Sequence, residues 1–171
     1  MLVAGWRRQA HSASPVPGAG VRVRRRMDET SLMDIHELTA ADRDAATALW
    51  AKVGLVRPWN DPTSDFDRAV SGMTSAVLGA VDAGELAATM MVGHDGHRGW
   101  VYYLAVDLEK RRSGLGRHMM QKAEGWLRQR GVVKLNLMVR NGNDGALNFY
   151  RQLGYEDANV TVLAHWLVRP T

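Results

Sequence analysis

Three apolar runs, Ser75–Val81, Leu86–Gly93 and Trp100–Val106, follow one another with only short links between them, "DAGE" at 82–85 and "HDGHRG" at 94–99. A parallel crossover needs a dozen residues or more. Links this short therefore force the three runs into an antiparallel meander. Each run is nearly continuous in apolar residues, which predicts a sheet covered on both faces. The meander also excludes the order of a dinucleotide-binding βαβ unit, where a helix separates parallel strands.

The rest of the chain supplies the covering layers. Met33–Leu38 reads as a short first strand. Thr39 reads as the N-cap of a helix that sets Ala45, Leu49 and Val53 on one face and stops at Gly54. A loop with two prolines, "VRPWNDPTSDF", leads to a second short helix over Ser64–Gly72. Leu115–Arg130 is the clearest helix, with Leu115, Met119, Ala123, Trp126 and Leu127 on one face and Gly131 after its end. Val132–Arg140 reads as a strand, "NDGALNFYRQLGY" as a helix closed by Gly154, and "ANVTVLAHWLV" at 158–168 as one or two last strands. The order β-α-α-β-β-β-α-β-α-β predicts a single α/β domain with a mixed, mostly antiparallel central sheet flanked by helices.

Charge is uneven along the chain. Of 22 basic and 18 acidic residues, six arginines and two acids fall in residues 1–32, leaving 16 and 16 in residues 33–171. The net +4 thus belongs to the first segment, and the folded part carries no general argument for binding nucleic acid. Residues 1–32 combine Pro, Gly, Ser and Arg without a hydrophobic period. They read as a disordered basic extension or an artefact of the translation start, with Met27 or Met33 as the true start. The domain proper is expected over 33–171. No cysteine is present, which excludes disulfides and a thiol nucleophile and fits a cytoplasmic setting. No run reaches the roughly 18 apolar residues of a membrane helix, so no membrane partner is expected.

The meander runs into "DLEKRRSGLGR" and then into the clearest helix. A helix start offers unpaired N–H groups and a positive dipole end, and Gly114 and Gly116 let an anion reach the backbone. From Asp107 to Arg140 nine basic residues face three acidic ones. This combination suits a phosphate-bearing ligand. A Walker loop is absent, and a dinucleotide fingerprint fails because Met119 stands where its third glycine belongs.

Arg111-Arg112-Ser113-Gly114-Leu115-Gly116 fits [Q/R]-x-x-G-x-[G/A], and Asn143, Ala146, Tyr150, Gly154 and Tyr155 form a second pattern downstream. In these two elements the chain resembles the GNAT N-acetyltransferase superfamily over roughly Met33–Val168. "LVRPWNDP" and "DGHRG…YYL" further resemble its YpeA-type bacterial branch. The resemblance implies acetyl-CoA as co-substrate and a primary amine as acceptor. It implies that backbone amides from about Arg112 to Arg117, with the side chains of Arg111, Arg112 and Arg117 in support, hold the pyrophosphate. Main chain of Leu104, Ala105 and Val106 would pair with the pantetheine arm, Leu104 lying near the acetyl carbonyl. Asn143 would bond the pantetheine or a water. Tyr150 would offer its hydroxyl to the departing thiolate, a group that a phenol within reach can protonate or stabilise. The other class of reading is a non-catalytic acyl-CoA-binding regulator of the same fold.

The acceptor side is less determined. Trp59, Asn60 and Asp61 lie in the loop between the first two helices, where enzymes of this superfamily commonly close over the acceptor. Strand alternation sends Tyr102 and Tyr103 to opposite faces, so one of them lines the acceptor channel. The superfamily often carries a glutamate on the strand corresponding to Trp100–Val106, but "WVYYLAV" has no carboxylate. Glu85, Asp61, Asp95 or a water chain stand as candidate bases. An α-amine, with a pKa of about 8 against about 10.4 for lysine, needs the weaker base, so the missing carboxylate leans toward an α-amine or small amine. "HDGHR" reads as a turn set by Asp95-Gly96, and no metal site is expected. Either a monomer or a homodimer fits the fold.

Overall fold

The computed structural model describes residues 33–169. A five-stranded sheet runs in the order β1 (Asp34–Glu37), β2 (Ser75–Asp82), β3 (Glu85–His94), β4 (Gly99–Val106), β5 (Leu135–Asn136). The first four are antiparallel neighbours and β5 joins β4 in parallel, so the meander is as the short links require. Helices α1 (Arg43–Lys52) and α2 (Pro62–Ser71) cover one face, and α3 (Leu115–Gln129) and α4 (Asp144–Gln152) cover the other. The reading of 1–32 lies outside the described residues.

Helix starts follow the local chemistry. Thr39 and Asp42 form a reciprocal capping box around a 3-10 turn, Ala40–Asp42, that precedes α1. That turn delays the α-helix and rotates its apolar stripe. Ala46, Leu49 and Trp50 are the buried positions, and Ala45 is exposed. Asp61 caps α2, accepting from the N–H groups of Thr63 at 3.0 Å and Ser64 at 3.1 Å and from the Ser64 hydroxyl at 2.6 Å. Pro62 then sits in the first turn, where its missing N–H costs nothing. Asp61→Ala is expected to lower stability by about 1 kcal/mol, read as a shift in the urea midpoint at unchanged slope.

Core packing divides into two layers. On the α3 side Met90, Val92 and Val101 meet Leu115, Met119 and Ala123, on the helix face expected from the sequence, and Met120, which widens it. On the α1–α2 side Val77 and Ala105 meet Trp50, Phe66 and Ala69. Trp50 is fully buried and donates its indole N–H to the Thr89 hydroxyl at 2.8 Å. One sheet residue thus bonds a helix side chain inside an otherwise apolar layer, which fixes α1 over β3.

Two strand expectations are corrected. The run 132–140 pairs over Leu135–Asn136 alone, opposite Gly99 and Trp100. The cause lies in β4. Between Thr89–Ala105 and Met91–Tyr102, one β3 residue stands opposite two β4 residues, Tyr103 and Leu104. Tyr103 has φ +50°, the left-handed region. Such a bulge bends its strand, and beyond it β5 no longer follows. Residues 156–169 form no strand, and Val160, Val162, Leu163, Trp166, Leu167 and Val168 are exposed. Strand-prone residues need an edge to pair with, and β5 offers two residues.

Candidate active site

The splay between β4 and β5 is the first element of the site. From Val101 to Val106 the β5-facing edge of β4 has no strand partner among the described residues. This edge contains Leu104, Ala105 and Val106 and can receive an extended amide-bearing chain as an added strand.

Below it, the chain passes through a 3-10 turn, Leu108–Lys110, to the start of α3. Two ion pairs anchor the approach. Lys52 meets the Asp107 carboxylate at 2.7 Å, and Lys110 meets Asp82. Lys52, and next the Glu109 N–H, hold the Asp107 carboxyl below its usual pKa. Arg112 (φ +63°) and Gly114 (φ +92°) are both left-handed, and Gly114 is the N-cap of α3. The Ser113 hydroxyl donates to the Lys110 carbonyl at 2.7 Å. The first turn of α3 holds no acidic residue. Among the described residues Arg111, Arg112 and Arg117 pair with no carboxylate, and all three are exposed. Gly116 has a further role. A Cβ there would lie 3.3 Å from the Phe149 ring and 3.7 Å from Val106, so its absence lets α4 close on α3 and β4. A helix dipole end and three arginines that meet no carboxylate among the described residues fit a pyrophosphate, and the open β4 edge fits the amide arm of acetyl-CoA.

Helix α4 positions Asn143 and Tyr150 of the second pattern. Asn143 is its N-cap, its side-chain oxygen accepting from the Ala146 N–H at 3.2 Å. That leaves the amide NH2 of Asn143 to donate outward. Tyr150 is seven residues on, hence on the same helix face about 10 Å away. Its ring meets Phe149 at 5.1 Å and Tyr155 at 5.8 Å, both edge-on. Burial raises its pKa above 10.0, so the phenol keeps its proton at neutral pH. Tyr155 is held separately, donating to Glu124 at 2.9 Å.

On the α1–α2 face a cavity of about 450 Å3 is lined by Asn60, Asp65, Arg68, Met91, Tyr102 and Tyr103 among others. Here alternation fails. Gly99 and Val101 pack toward α3, and after the bulge Leu104 and Val106 do so. The parity has moved by one residue, so Tyr102 and Tyr103 line the same cavity rather than opposite faces. Asn60 reaches the cavity as its sequence position suggests. Asp61 does not line it, both carboxylate oxygens being engaged in the cap of α2. Trp59 is 44% exposed, with the Arg140 guanidinium 5.5 Å from its ring centroid. The loop before α2 thus reaches the chain after β5. Asp95 serves the β3–β4 turn, accepting from the N–H groups of Arg98 and His97 and the Trp100 indole. Those three bonds, Arg98 first, hold its carboxyl far below the usual range.

Sequence reasoning missed Asp65. It lies next to buried Phe66 on α2 and reaches Tyr103, 38 residues away. No local spacing encodes that contact.

Residues 32–155 match the model of the Acetyltransferase (GNAT) family. Among solved structures, the ribosomal-protein-S18-alanine N-acetyltransferase from Escherichia coli is 26% identical with a TM-score of 0.66, covering 75% of this chain and 80% of its own. AAC(6')-Iy in complex with the bisubstrate analogue CoA-S-monomethyl-acetylneamine has a TM-score of 0.69 at 13% identity, with coverages of 80% and 99%. A transcriptional regulator from Bacillus halodurans C-125 has a TM-score of 0.64 at 16% identity, with coverages of 78% and 99%. The last two show likeness of fold. These matches fix a family and not a branch within it.

Proposed function

The chain belongs to the acetyltransferase (GNAT) family and is an N-acetyltransferase, and from that premise we propose that it acetylates the α-amine of a peptide or protein N-terminus, or a small primary amine, by direct attack in a ternary complex. The observation that carries this reading is the unpaired β4 edge leading down to the start of α3, with Tyr150 on the helix beside it. Acetyl-CoA supplies the activated acyl group when bound. Amides from about Arg112 to Arg117 hold its pyrophosphate, supported by Arg111, Arg112 and Arg117. Main chain of Leu104 to Val106 takes the pantetheine arm, with the Asn143 amide as a further donor. The Leu104 N–H meets the negative charge that grows on the acetyl oxygen during attack. Tyr150, whose pKa burial keeps high, delivers a proton to the leaving sulfur.

Acceptor choice follows from the cavity and the likeness. Tyr102, Tyr103 and Asn60 line the cavity that would take the amine, and Trp59 precedes Asn60 in the loop before α2. The structure most alike in sequence of the three is named for acetylating an alanine of a ribosomal protein, which supports an α-amine. The division into a basic segment, residues 1–32, and an enzyme domain from residue 33 belongs to the same proposal, and the family match over 32–155 supports it.

The test is a CoA-release screen with the full chain. Peptides with free N-termini, an Nα-blocked lysine peptide, polyamines, aminoglycosides and small amino metabolites are the acceptors. Release is expected with an α-amine or small amine. Acetyl-CoA binding without release from any amine would instead identify an acyl-CoA-binding regulator.

A further inference from the structure

We propose that Tyr103 and Asp65 form the relay that removes the proton from the acceptor amine, a role that rests on the acetyltransferase reading above. The observation is a clamped phenol. Its hydroxyl donates to Asp65 Oδ2 at 2.8 Å and accepts from the Asn60 amide at 2.8 Å. Its ring stacks on buried Trp50, with centroids 4.2 Å apart and planes 19° apart. Two hydrogen bonds and one ring stack thus hold the phenol oxygen at the wall of the cavity, and that oxygen retains acceptor capacity for one more hydrogen. The residue that carries it sits at the bulge with φ +50°. A non-glycine residue in that region costs about 1–2 kcal/mol, and such strain concentrates where a site requires it. Leu104, the residue assigned to the acetyl carbonyl, is its neighbour in the bulge.

A base is needed because amines with pKa of about 8 to 10.4 arrive mostly as ammonium at neutral pH. β4 carries no carboxylate, and none of the three named from sequence lines the cavity: Asp61 caps α2, Asp95 closes a turn, and Glu85 is exposed at the β2–β3 turn opposite Asp82. Burial first, and then the bond and charge of Asp65, hold the Tyr103 phenol above its usual pKa against the opposing bond from Asn60. A phenol so placed does not wait as phenolate, but it can pass a proton along. One N–H proton of the ammonium moves to Tyr103 Oη as the phenolic proton moves to Asp65 Oδ2. The products are a neutral amine, an intact phenol and a carboxylic acid. Asp65 is 23% exposed and returns its proton to solvent. Other charges are at hand: Arg68 contacts Asp65 Oδ1 at 2.5 Å, and Asp95 acts on the neighbouring Tyr102.

Tyr103→Phe keeps the ring on Trp50 and removes the relay oxygen. With the amine found in the release screen, kcat/KM at pH 7 is expected to fall about 100-fold, the low end for general-base loss, with acetyl-CoA affinity retained. The acid limb of the pH profile should move up toward the acceptor's own pKa, and the deficit should shrink above it. Asp65→Asn should displace the limb in the same direction, and Asp65→Glu should restore part of it. A deficit equal at all pH values, or none, overturns the relay while leaving the acetyltransferase reading intact. No release by the wild-type chain from any amine overturns that reading, and the relay with it.

Discussion

Tyr150→Phe is expected to lose about 100-fold or more in kcat, within the usual range for removing a general acid, while still binding acetyl-CoA. The substitution keeps the edge-on contacts with Phe149 and Tyr155, so the melting temperature should hold. Only the hydroxyl goes, and among the described residues no hydrogen bond ties it to the protein. Steady-state kinetics with saturating amine, set beside calorimetric binding of acetyl-CoA, read the two effects separately. The sign of the pH effect is also fixed. Because burial raises the phenol above 10.0, the acid is present throughout the neutral range, and wild-type kcat should show no alkaline decline from it below about pH 10. Turnover untouched in the phenylalanine variant removes Tyr150 from the chemistry.

Trp50→Ala should have the largest effect on stability, about 3–5 kcal/mol. The side chain is fully buried, fills the layer between α1 and the sheet, tilts against Phe66 at 6.0 Å and supports Tyr103. Its removal also leaves the Thr89 hydroxyl without its partner in a closed interior. Against a total of about 5–15 kcal/mol that is a large share. The melting temperature should drop by roughly 10 °C, at about 2–4 °C per kcal/mol for a chain of this size. Trp50→Phe separates the two parts, retaining most of the bulk and losing the bond, at about 1–3 kcal/mol. Thermal unfolding of both variants checks this, and an alanine variant as stable as the parent would contradict the packing described.

Much of this was legible in the chain because it is local. Short links dictated the meander, and the 3.6-residue period gave the buried face of α3 except for Met120. The two motifs located the start of α3 and the α4 pair. Three things were hidden, the last two for non-local reasons. The 3-10 turn before α1 moved its buried face from Ala45 to Ala46. Pairing of the run 132–140 depended on the direction β4 takes after its bulge, and the apolar pattern at 158–168 found no edge. Asp65 became visible only when α2 lay across the sheet with its carboxylate on Tyr103.

The bulge in β4 also makes residue count a carrier of chemistry. Before it, odd-numbered side chains face α3; after it, even-numbered ones do. Adjacent tyrosines can therefore share one cavity while the strand remains continuous. Loss of either tyrosine would restore plain alternation from Val101 to Leu104, removing the bulge and leaving one phenol in the cavity. For this strand, a change of length is a more drastic edit than a change of side chain. Relocating the extra residue would redraw the acceptor cavity without altering composition.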